Sequence, residues 1–175
     1  MKLPIETRRL TLRFVTAGDW ERILDIWTDF SGSPYACYDA PHDLDPKAVQ
    51  ASTARMESLS PRGEHMFFAV CLGAAVIGCV DFHRTPEGYA CGYCFHSGAQ
   101  GRGYASESLR ALIDALADGG ARRFVAGTAL NNAPSVRLLE AVGFRMTGTE
   151  RVSFYADARG EPIWFEGGIF ELERE

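Results

Sequence analysis

Residues 95–116 read Phe-His-Ser-Gly-Ala-Gln-Gly-Arg-Gly-Tyr-Ala-Ser-Glu-Ser-Leu-Arg-Ala-Leu-Ile-Asp-Ala-Leu, and this stretch decides the fold. It begins where an apolar run ends at Phe95, and it then passes through a loop that contains Gly98, Gly101 and Gly103. From Tyr104 onward the apolar residues have the spacing of one helical face. These apolar positions are Ala105, Leu109, Leu112, Ile113 and Leu116. The pattern predicts a strand, a glycine loop and a helix in direct succession.

A glycine loop that leads into a helix is a geometry that binds anions. The first turn of a helix has unpaired N–H groups and carries the positive end of the helix dipole. Glycines let the backbone approach a phosphate without obstruction by a Cβ atom. We therefore expect a phosphate-bearing ligand on the amides of residues 101–105.

The overall composition is typical of one globular domain that spans residues 1–175, with 46% hydrophobic and 23% charged residues. The net charge of −5 argues against a nucleic-acid partner, which requires a basic face. A mildly negative field instead favours a cationic substrate such as an amine.

No apolar run approaches the roughly 20 residues of a transmembrane helix, so no membrane partner is expected. The first residues lack a signal-peptide pattern, and we expect a cytoplasmic protein.

The five cysteines are odd in number, and most of them lie within apolar runs. This pattern favours reduced core thiols in a cytoplasmic protein over a disulfide framework. Cys91 and Cys94 have redox or metal spacing, but they lie inside a strand-like run instead of at the start of a helix. No metal site is predicted.

The order of predicted elements indicates a mixed α/β domain. A helix separates the strand at residues 89–96 from the strand at residues 123–130, so these two strands are predicted to be parallel. The other predicted strands span residues 7–14, 65–72, 75–84, 144–155 and 162–172, and the helices start near residues 16, 46, 104 and 133.

The predicted loop that precedes the second helix is rich in aromatic residues. Tyr35, Tyr38 and His42 are placed to line a substrate pocket or to cover one edge of the core, and the sequence leaves both interpretations open.

Two common phosphate loops do not fit residues 100–105. A nucleotide-hydrolysing loop requires Lys-Ser or Lys-Thr after its last glycine, whereas Tyr104 and Ala105 follow Gly103 here. The dinucleotide fingerprint lacks its third glycine, and Arg122 and Arg123 stand where its acidic residue is expected. A glycine turn that only connects a strand to a helix remains an alternative.

Residues 100–105, Gln-Gly-Arg-Gly-Tyr-Ala, resemble the Gln/Arg-x-x-Gly-x-Gly/Ala pyrophosphate loop of the GNAT acetyltransferases. Downstream, residues 132–144 resemble the second signature of that family, an Asn-x-x-Ser helix start that ends in Gly-Phe. Upstream, residues 6–13 are similar to the first strand of the branch that acetylates the N-termini of ribosomal proteins, and Glu107 falls where that branch carries glutamate. The three segments occur in the right order and span nearly the whole chain.

This resemblance implies a GNAT fold, with a central mixed and twisted sheet of six to seven strands and about four flanking helices. Two parallel strands would splay apart at the cofactor site, and acetyl-CoA would lie between them as a co-substrate, with no metal. The thioester carbonyl would be polarised by a backbone N–H near Cys94 or Phe95. The implied cofactor-binding residues are Tyr93, Cys94, Phe95, Gln100, Gly101, Arg102, Gly103, Tyr104, Ala105, Ser106, Asn132 and Ser135.

The family reaction is direct attack of a neutral amine on the thioester. Asp81, His83 and His96 are candidates for the base, and each is equally interpretable as a polar residue of a strand edge. Ser135 matches the residue that in relatives protonates the leaving thiolate, and its other interpretation is a helix cap. Asn132 is likewise a cap, a cofactor contact or both.

The predicted function is therefore transfer of the acetyl group of acetyl-CoA to a primary amine by a monomer or a homodimer. The alternative is a non-catalytic acyl-CoA-binding sensor with the same fold. Residues 31–62 carry no acceptor motif, so a peptide α-amine, an aminoglycoside, a polyamine and a free amino acid all remain open as acceptors.

Overall fold

Eight strands form one mixed sheet in the computed structural model, which describes residues 1–174. The strands are β1 (Ile5–Glu6), β2 (Thr11–Phe14), β3 (His65–Leu72), β4 (Ala75–Thr85), β5 (Gly88–Phe95), β6 (Arg123–Ala129), β7 (Arg145–Ala156) and β8 (Pro162–Glu173). The helices are α1 (Trp20–Ser31), α2 (Pro46–Leu59), α3 (Tyr104–Asp118) and α4 (Ala133–Val142). None of these four helices, within residues 1–174, is long and apolar enough to cross a membrane.

The strand order across the sheet is β1-β2-β3-β4-β5-β6-β8-β7. The mixed sheet, the four helices and the parallel pairing of β5 with β6 are confirmed. The sheet has one strand more than expected, because residues 7–14 do not form a single strand. The amide of Thr7 donates to the carbonyl of Leu10, and the amide of Leu10 donates to Thr7 Oγ1, so the chain turns there. This turn folds the short strand β1 back onto β2.

The two faces of the sheet carry separate cores. Helices α3 and α4 cover one face, where Leu112 and Leu139 pack with Val80 and Phe82. Helices α1 and α2 cover the opposite face in a smaller cluster around Trp27. Because side chains alternate along a strand, β4 places Val80 and Phe82 on the first face and Asp81 on the second.

The parallel pair β5 and β6 opens into a wedge. Tyr89 pairs with Phe124 and Ala90 with Val125, and the ladder between these two strands ends there in the described chain. Strand β5 nevertheless stays paired with β4 up to Phe95, while β6 stays paired with β8. We call the gap between residues 91–95 and 126–129 the wedge.

The wedge leaves a central strand partly uncovered. Strand β5 is the fifth of eight, yet every residue from Gly88 to Cys94 is only half-buried. Backbone groups of β5 that face β6 have no partner strand beyond Ala90 in the described chain, so the wedge can accept another extended chain.

Candidate active site

The turn between β5 and α3 depends on two glycines with left-handed backbone. Gly101 has φ 71° and Gly103 has φ 76°, which are conformations that residues with a Cβ atom adopt only at a cost. Gly103 is also the N-cap residue of α3, and it has no side chain with which to cap the helix. The amides of the first turn, at Tyr104 and the residues after it, are therefore left to a ligand or to solvent.

Neighbouring residues brace this turn. The Gln100 side-chain amide donates to the carbonyl of Phe95 over 3.0 Å, which ties the turn back to the end of β5. Arg9 Nη1 donates to the carbonyl of Arg102 over 2.9 Å. The guanidinium of Arg9 also lies 4.5 Å from the centre of the Tyr104 ring. The turn is thus held by β5 and by the N-terminal segment.

Glu107 joins the N-terminal segment to the first turn of α3. Its carboxylate accepts hydrogen bonds from Thr7 Oγ1 at 2.7 Å, from the Arg9 amide at 3.0 Å and from Arg9 Nε at 2.7 Å. Burial opposes ionisation, but the hydrogen bonds from Thr7 and Arg9 outweigh it and lower the pKa of Glu107. Two features that the sequence linked only by resemblance, Glu107 and residues 6–13, are therefore parts of one network.

The hydroxyl groups of Tyr93 and Ser135 meet across the wedge. Their oxygens are 2.7 Å apart, although Tyr93 belongs to β5 and Ser135 to the first turn of α4. Burial raises the pKa of Tyr93, so the phenol stays protonated. The sequence placed Ser135 in the site but gave no indication that Tyr93 reaches it, because the two residues are 42 positions apart.

Helix α4 is capped by Asn132 rather than by Ser135. Asn132 Oδ1 accepts from the amide of Ser135 at 3.3 Å, and Asn132 O accepts from the amide of Val136 at 3.0 Å. Gly143 ends the helix with φ 112°. Because Asn132 supplies the cap, the hydroxyl of Ser135 is left to interact with Tyr93 and with whatever occupies the wedge.

Asp81 and His83 of β4 form a pair on the opposite face of the sheet. His83 Nε2 lies 3.0 Å from Asp81 Oδ2. A hydrogen bond to Asp81 raises the pKa of His83. A Cβ atom on Gly92 would come within 2.9 Å of both Asp81 carboxylate oxygens, so the missing side chain at this position makes room for the carboxylate.

His83 also contacts a residue that the sequence did not indicate, His65. The two Nδ1 atoms are 2.9 Å apart, because His65 and His83 are direct cross-strand partners in β3 and β4. Both ring nitrogens of His83 therefore have partners, and His83 engages only Oδ2 of the Asp81 carboxylate.

His96 is held in a structural role. Its Nδ1 accepts from the amide of Gly98 at 3.1 Å, and its Nε2 faces Asp25 and Asp29 at 3.8 and 3.9 Å. Asp29 in turn accepts from the amide and the hydroxyl of Ser97, both at 2.7 Å. With its acceptor nitrogen engaged, His96 is a poor candidate for the base.

The loop between α1 and α2 lies on the Asp81 face. His42 stacks on Trp27 with ring centres 4.3 Å apart, and Tyr38 packs edge-on against Phe165 of β8 at 5.3 Å. Desolvation raises the pKa of Asp39, although the residue is exposed at the surface, and the charge of Asp81 acts in the same direction. Asp39 is a candidate acceptor-site residue without a sequence signal, because only tertiary packing brings it near Asp81, and Phe165 reaches the same loop through its contact with Tyr38.

Cys91 and Cys94 do not form a joint site. Cys91 packs with the core under α3 and α4, whereas Cys94 packs with the core under α1 and α2. Two side chains that are three positions apart on a strand point to opposite faces of the sheet. Cys91 and Cys94 therefore lie within a strand, as predicted, and do not face each other.

Comparison with known proteins identifies the family. Residues 9–145 match the family model described as an acetyltransferase (GNAT) domain. The uncharacterized N-acetyltransferase YnaD of Bacillus subtilis (strain 168) is 26% identical over 178 residues, which cover 98% of this chain and 98% of that protein. The match spans more than half of the chain, so this protein belongs to the GNAT acetyltransferase family.

Solved structures share the whole fold. The ribosomal-protein-S5-alanine acetyltransferase from Vibrio fischeri has a TM-score of 0.82 at 18% identity, over 99% of this chain and 98% of that one. RimL, a ribosomal L7/L12 alpha-N-protein acetyltransferase in complex with coenzyme A, has a TM-score of 0.85 at 18% identity, over 98% of both chains. Ribosomal-protein acetyltransferases, the branch that the sequence resembles, are thus among the structural neighbours.

Proposed function

We propose that this protein transfers the acetyl group of acetyl-CoA to a primary amine, either the α-amine of a peptide or the amine of a small molecule. The observation that carries the proposal is the wedge, because it opens directly beside the left-handed turn at Gly101 and Gly103. An open strand edge next to free helix amides suits a ligand with a pyrophosphate at one end and an amide-rich arm at the other.

The cofactor-binding residues divide between these two parts. The amides of residues 101–105 would hold the pyrophosphate, with Arg102 able to add positive charge. The backbone of residues 93–95 would pair with the pantetheine arm and would place a donor N–H at the thioester carbonyl. Family membership and the coenzyme A complex of the structural neighbour RimL support this assignment.

Asp81 and His83 are the proposed proton acceptors. Acetyl-CoA supplies an activated thioester, and the amine nitrogen attacks its carbonyl carbon while the carbon–sulfur bond breaks. The Asp81 carboxylate lies directly over Gly92 of β5, and it is the proposed acceptor of the proton that the amine loses. His83, bonded to Oδ2 of this carboxylate, orients Asp81. A free α-amine with a pKa of about 7.7–8.0 needs little further help.

Ser135 is the proposed donor to the leaving sulfur. A thiol with a pKa of about 8.5 is a stronger acid than an alcohol, so Ser135 keeps its proton and stabilises the thiolate through a hydrogen bond. Asp81 and Ser135 lie on opposite faces of the sheet. Asp81 of β4 pairs with Gly92 of β5, and Tyr93, the next residue of β5, contacts Ser135 on the other face.

The acceptor amine and the cellular compartment are also proposals. The net charge of −5 and the carboxylates of Asp39 and Asp81 favour a positively charged amine. The ribosomal acceptors of the structural neighbours make a peptide α-amine the first choice to test. All five cysteines have free thiols, which suits the reducing cytoplasm.

A thiol-release assay tests the proposal. Acetyl-CoA is mixed with a panel that contains a peptide with a free α-amine, the same peptide with a blocked N-terminus, spermidine, an aminoglycoside and a free amino acid. Release of coenzyme A that requires one of the free amines supports the enzyme, and Asp81→Asn should slow it about 100-fold. Tight binding of acetyl-CoA without release for any amine would instead indicate the non-catalytic sensor.

A further inference from the structure

We infer that Tyr93 is a positioning residue for the transfer, whose phenol donates to Ser135 Oγ and thereby directs the Ser135 hydroxyl to the sulfur that leaves. This role rests on the proposed function, and it assigns to the Tyr93 side chain a task in addition to the backbone pairing of β5.

The contact between Tyr93 and Ser135 crosses a gap that the backbone leaves open. The ladder between β5 and β6 ends at Ala90 and Val125 in the described chain, three residues before Tyr93 along β5. Ser135 belongs to the helix that follows β6. The 2.7 Å contact therefore joins the two sides of the wedge at the depth where the thioester would lie.

The direction of this hydrogen bond follows from the acidity of the two groups. Each hydroxyl has one proton to donate and two lone pairs to accept. A phenol is the stronger acid, so it is the better donor, and the alcohol of Ser135 is the better acceptor. Tyr93 packs, half-buried, against the core under α3 and α4, and its hydroxyl lies 2.7 Å from Ser135 Oγ, so the phenol proton is directed to Ser135.

Ser135 is left with one free proton. Its amide donates to Asn132 Oδ1, and its oxygen accepts from Tyr93, so its O–H can point into the wedge. A donor that is itself hydrogen-bonded at its oxygen is polarised and donates more strongly. As the carbon–sulfur bond breaks and negative charge grows on sulfur, Ser135 stabilises that charge, while Tyr93 fixes the angle of the Ser135 hydroxyl.

The substitution Tyr93→Phe removes the phenol oxygen alone. The expected result is a fall in kcat of about 10- to 100-fold, with the Kd for acetyl-CoA within about twofold of the wild-type value. The matched control is Tyr89→Phe, because Tyr89 lies on the same face of β5 and donates to the carbonyl of Gly63, away from the wedge. That control should keep the wild-type kcat.

A double-mutant cycle of Tyr93→Phe and Ser135→Ala shows whether Tyr93 acts through Ser135 or affects the reaction independently of it. If Tyr93 acts through Ser135, the double variant should be no slower than the slower single variant. The assay uses acetyl-CoA with a short peptide that has a free α-amine, or with spermidine if only the polyamine reacts with the wild-type protein. Wild-type activity is measured first, so its absence counts against the proposed function rather than against Tyr93.

A purely structural role for Tyr93 gives a different result. If the phenol only sets the width of the wedge, Tyr93→Phe should weaken acetyl-CoA binding and leave kcat at saturation unchanged, which would overturn the inference. If Tyr93→Phe does not fold, incorporation of 3-fluorotyrosine at position 93 provides the test, because fluorine lowers the phenol pKa with little change in shape. The stronger donor should raise kcat, and an unchanged kcat would also overturn the inference.

Discussion

The left-handed turn that begins α3 gives the sharpest prediction. Gly103 has φ 76°, and an added Cβ atom would lie 3.4 Å from Arg9 Nη2. Alanine in this conformation costs about 1–2 kcal/mol, and the turn can escape the cost by rotating its peptide planes. That rotation removes amides from the proposed pyrophosphate site. Gly103→Ala should therefore weaken acetyl-CoA binding in addition to lowering stability.

The expected loss can be calculated from one hydrogen bond. A hydrogen bond to a charged group contributes about 1.5–3 kcal/mol, so losing one amide should raise the Kd about 10- to 150-fold. At a ligand concentration of 100 times the wild-type Kd, acetyl-CoA should stabilise the wild-type protein by about 2.7 kcal/mol. The same concentration should stabilise the variant by only about 0.3–1.4 kcal/mol.

Denaturant unfolding with and without acetyl-CoA measures this difference. The matched control is Gly120→Ala, at the other end of α3, where φ is 100° and a Cβ atom would meet no described atom within 4 Å. Both variants should lose about 1–2 kcal/mol without ligand, but only Gly103→Ala should lose the ligand effect. Equal ligand stabilisation in Gly103→Ala and in the wild-type protein would refute the assignment of the turn.

Three further predictions concern charged groups. Glu107→Gln should weaken the hold of Glu107 on Arg9, and so the hold of Arg9 on the carbonyl of Arg102 in the glycine turn. The Kd for acetyl-CoA, measured by calorimetry, should rise about tenfold. An unchanged Kd would show that the contacts of Glu107 with Arg9 are not needed for binding. Asp81→Asn should return the raised pKa of His83 towards its ordinary value in an NMR titration, because their hydrogen bond causes the shift; an unchanged pKa would contradict this. Burial opposes ionisation of Asp19, but hydrogen bonds from Arg13 and Thr16 outweigh it and lower the pKa of Asp19. The ionised Asp19 carboxylate therefore stabilises the fold above about pH 4, and this stabilisation is lost as the pH falls through the folded-state pKa. Asp19→Asn should cost about 2–3 kcal/mol at pH 7 and less in acid, and a pH-independent cost would contradict the assignment.

The turn, helix start and cap that carry the proposed cofactor site were predictable because they are local in sequence. The glycine turn, the first turn of α3 and the Asn132 cap each depend on residues that lie within a few positions of one another. Backbone conformation and capping chemistry act over that range. The fold followed from the same local signals together with the order of the strands.

The remaining features depend on contacts between distant segments. The turn at Thr7–Leu10, which creates β1, competes with a strand pattern that is equally visible in the sequence. The contacts of Tyr93 with Ser135 and of His65 with His83 arise from strand register and from the wedge. Periodicity predicts which face of an element is buried, but it does not predict which side chain of another element will meet it there.

On the proposed acceptor side, Asp39 had no sequence signal for a different reason. The loop between α1 and α2 is held by packing against Trp27 and Phe165, and its Asp39 is brought towards Asp81 only by that packing. A loop carries little periodic information, and its conformation is set by the surfaces on which it lies.

The crystal structure of the complex with acetyl-CoA tests the central claim most directly, because it does not depend on the acceptor. We expect the pyrophosphate oxygens within hydrogen-bond distance of the amides of residues 101–105. We also expect the pantetheine arm in the wedge and the sulfur beside Ser135 Oγ, with the Tyr93–Ser135 contact retained. A ligand bound elsewhere on the protein, or a wedge still open while acetyl-CoA saturates the protein, would contradict the account.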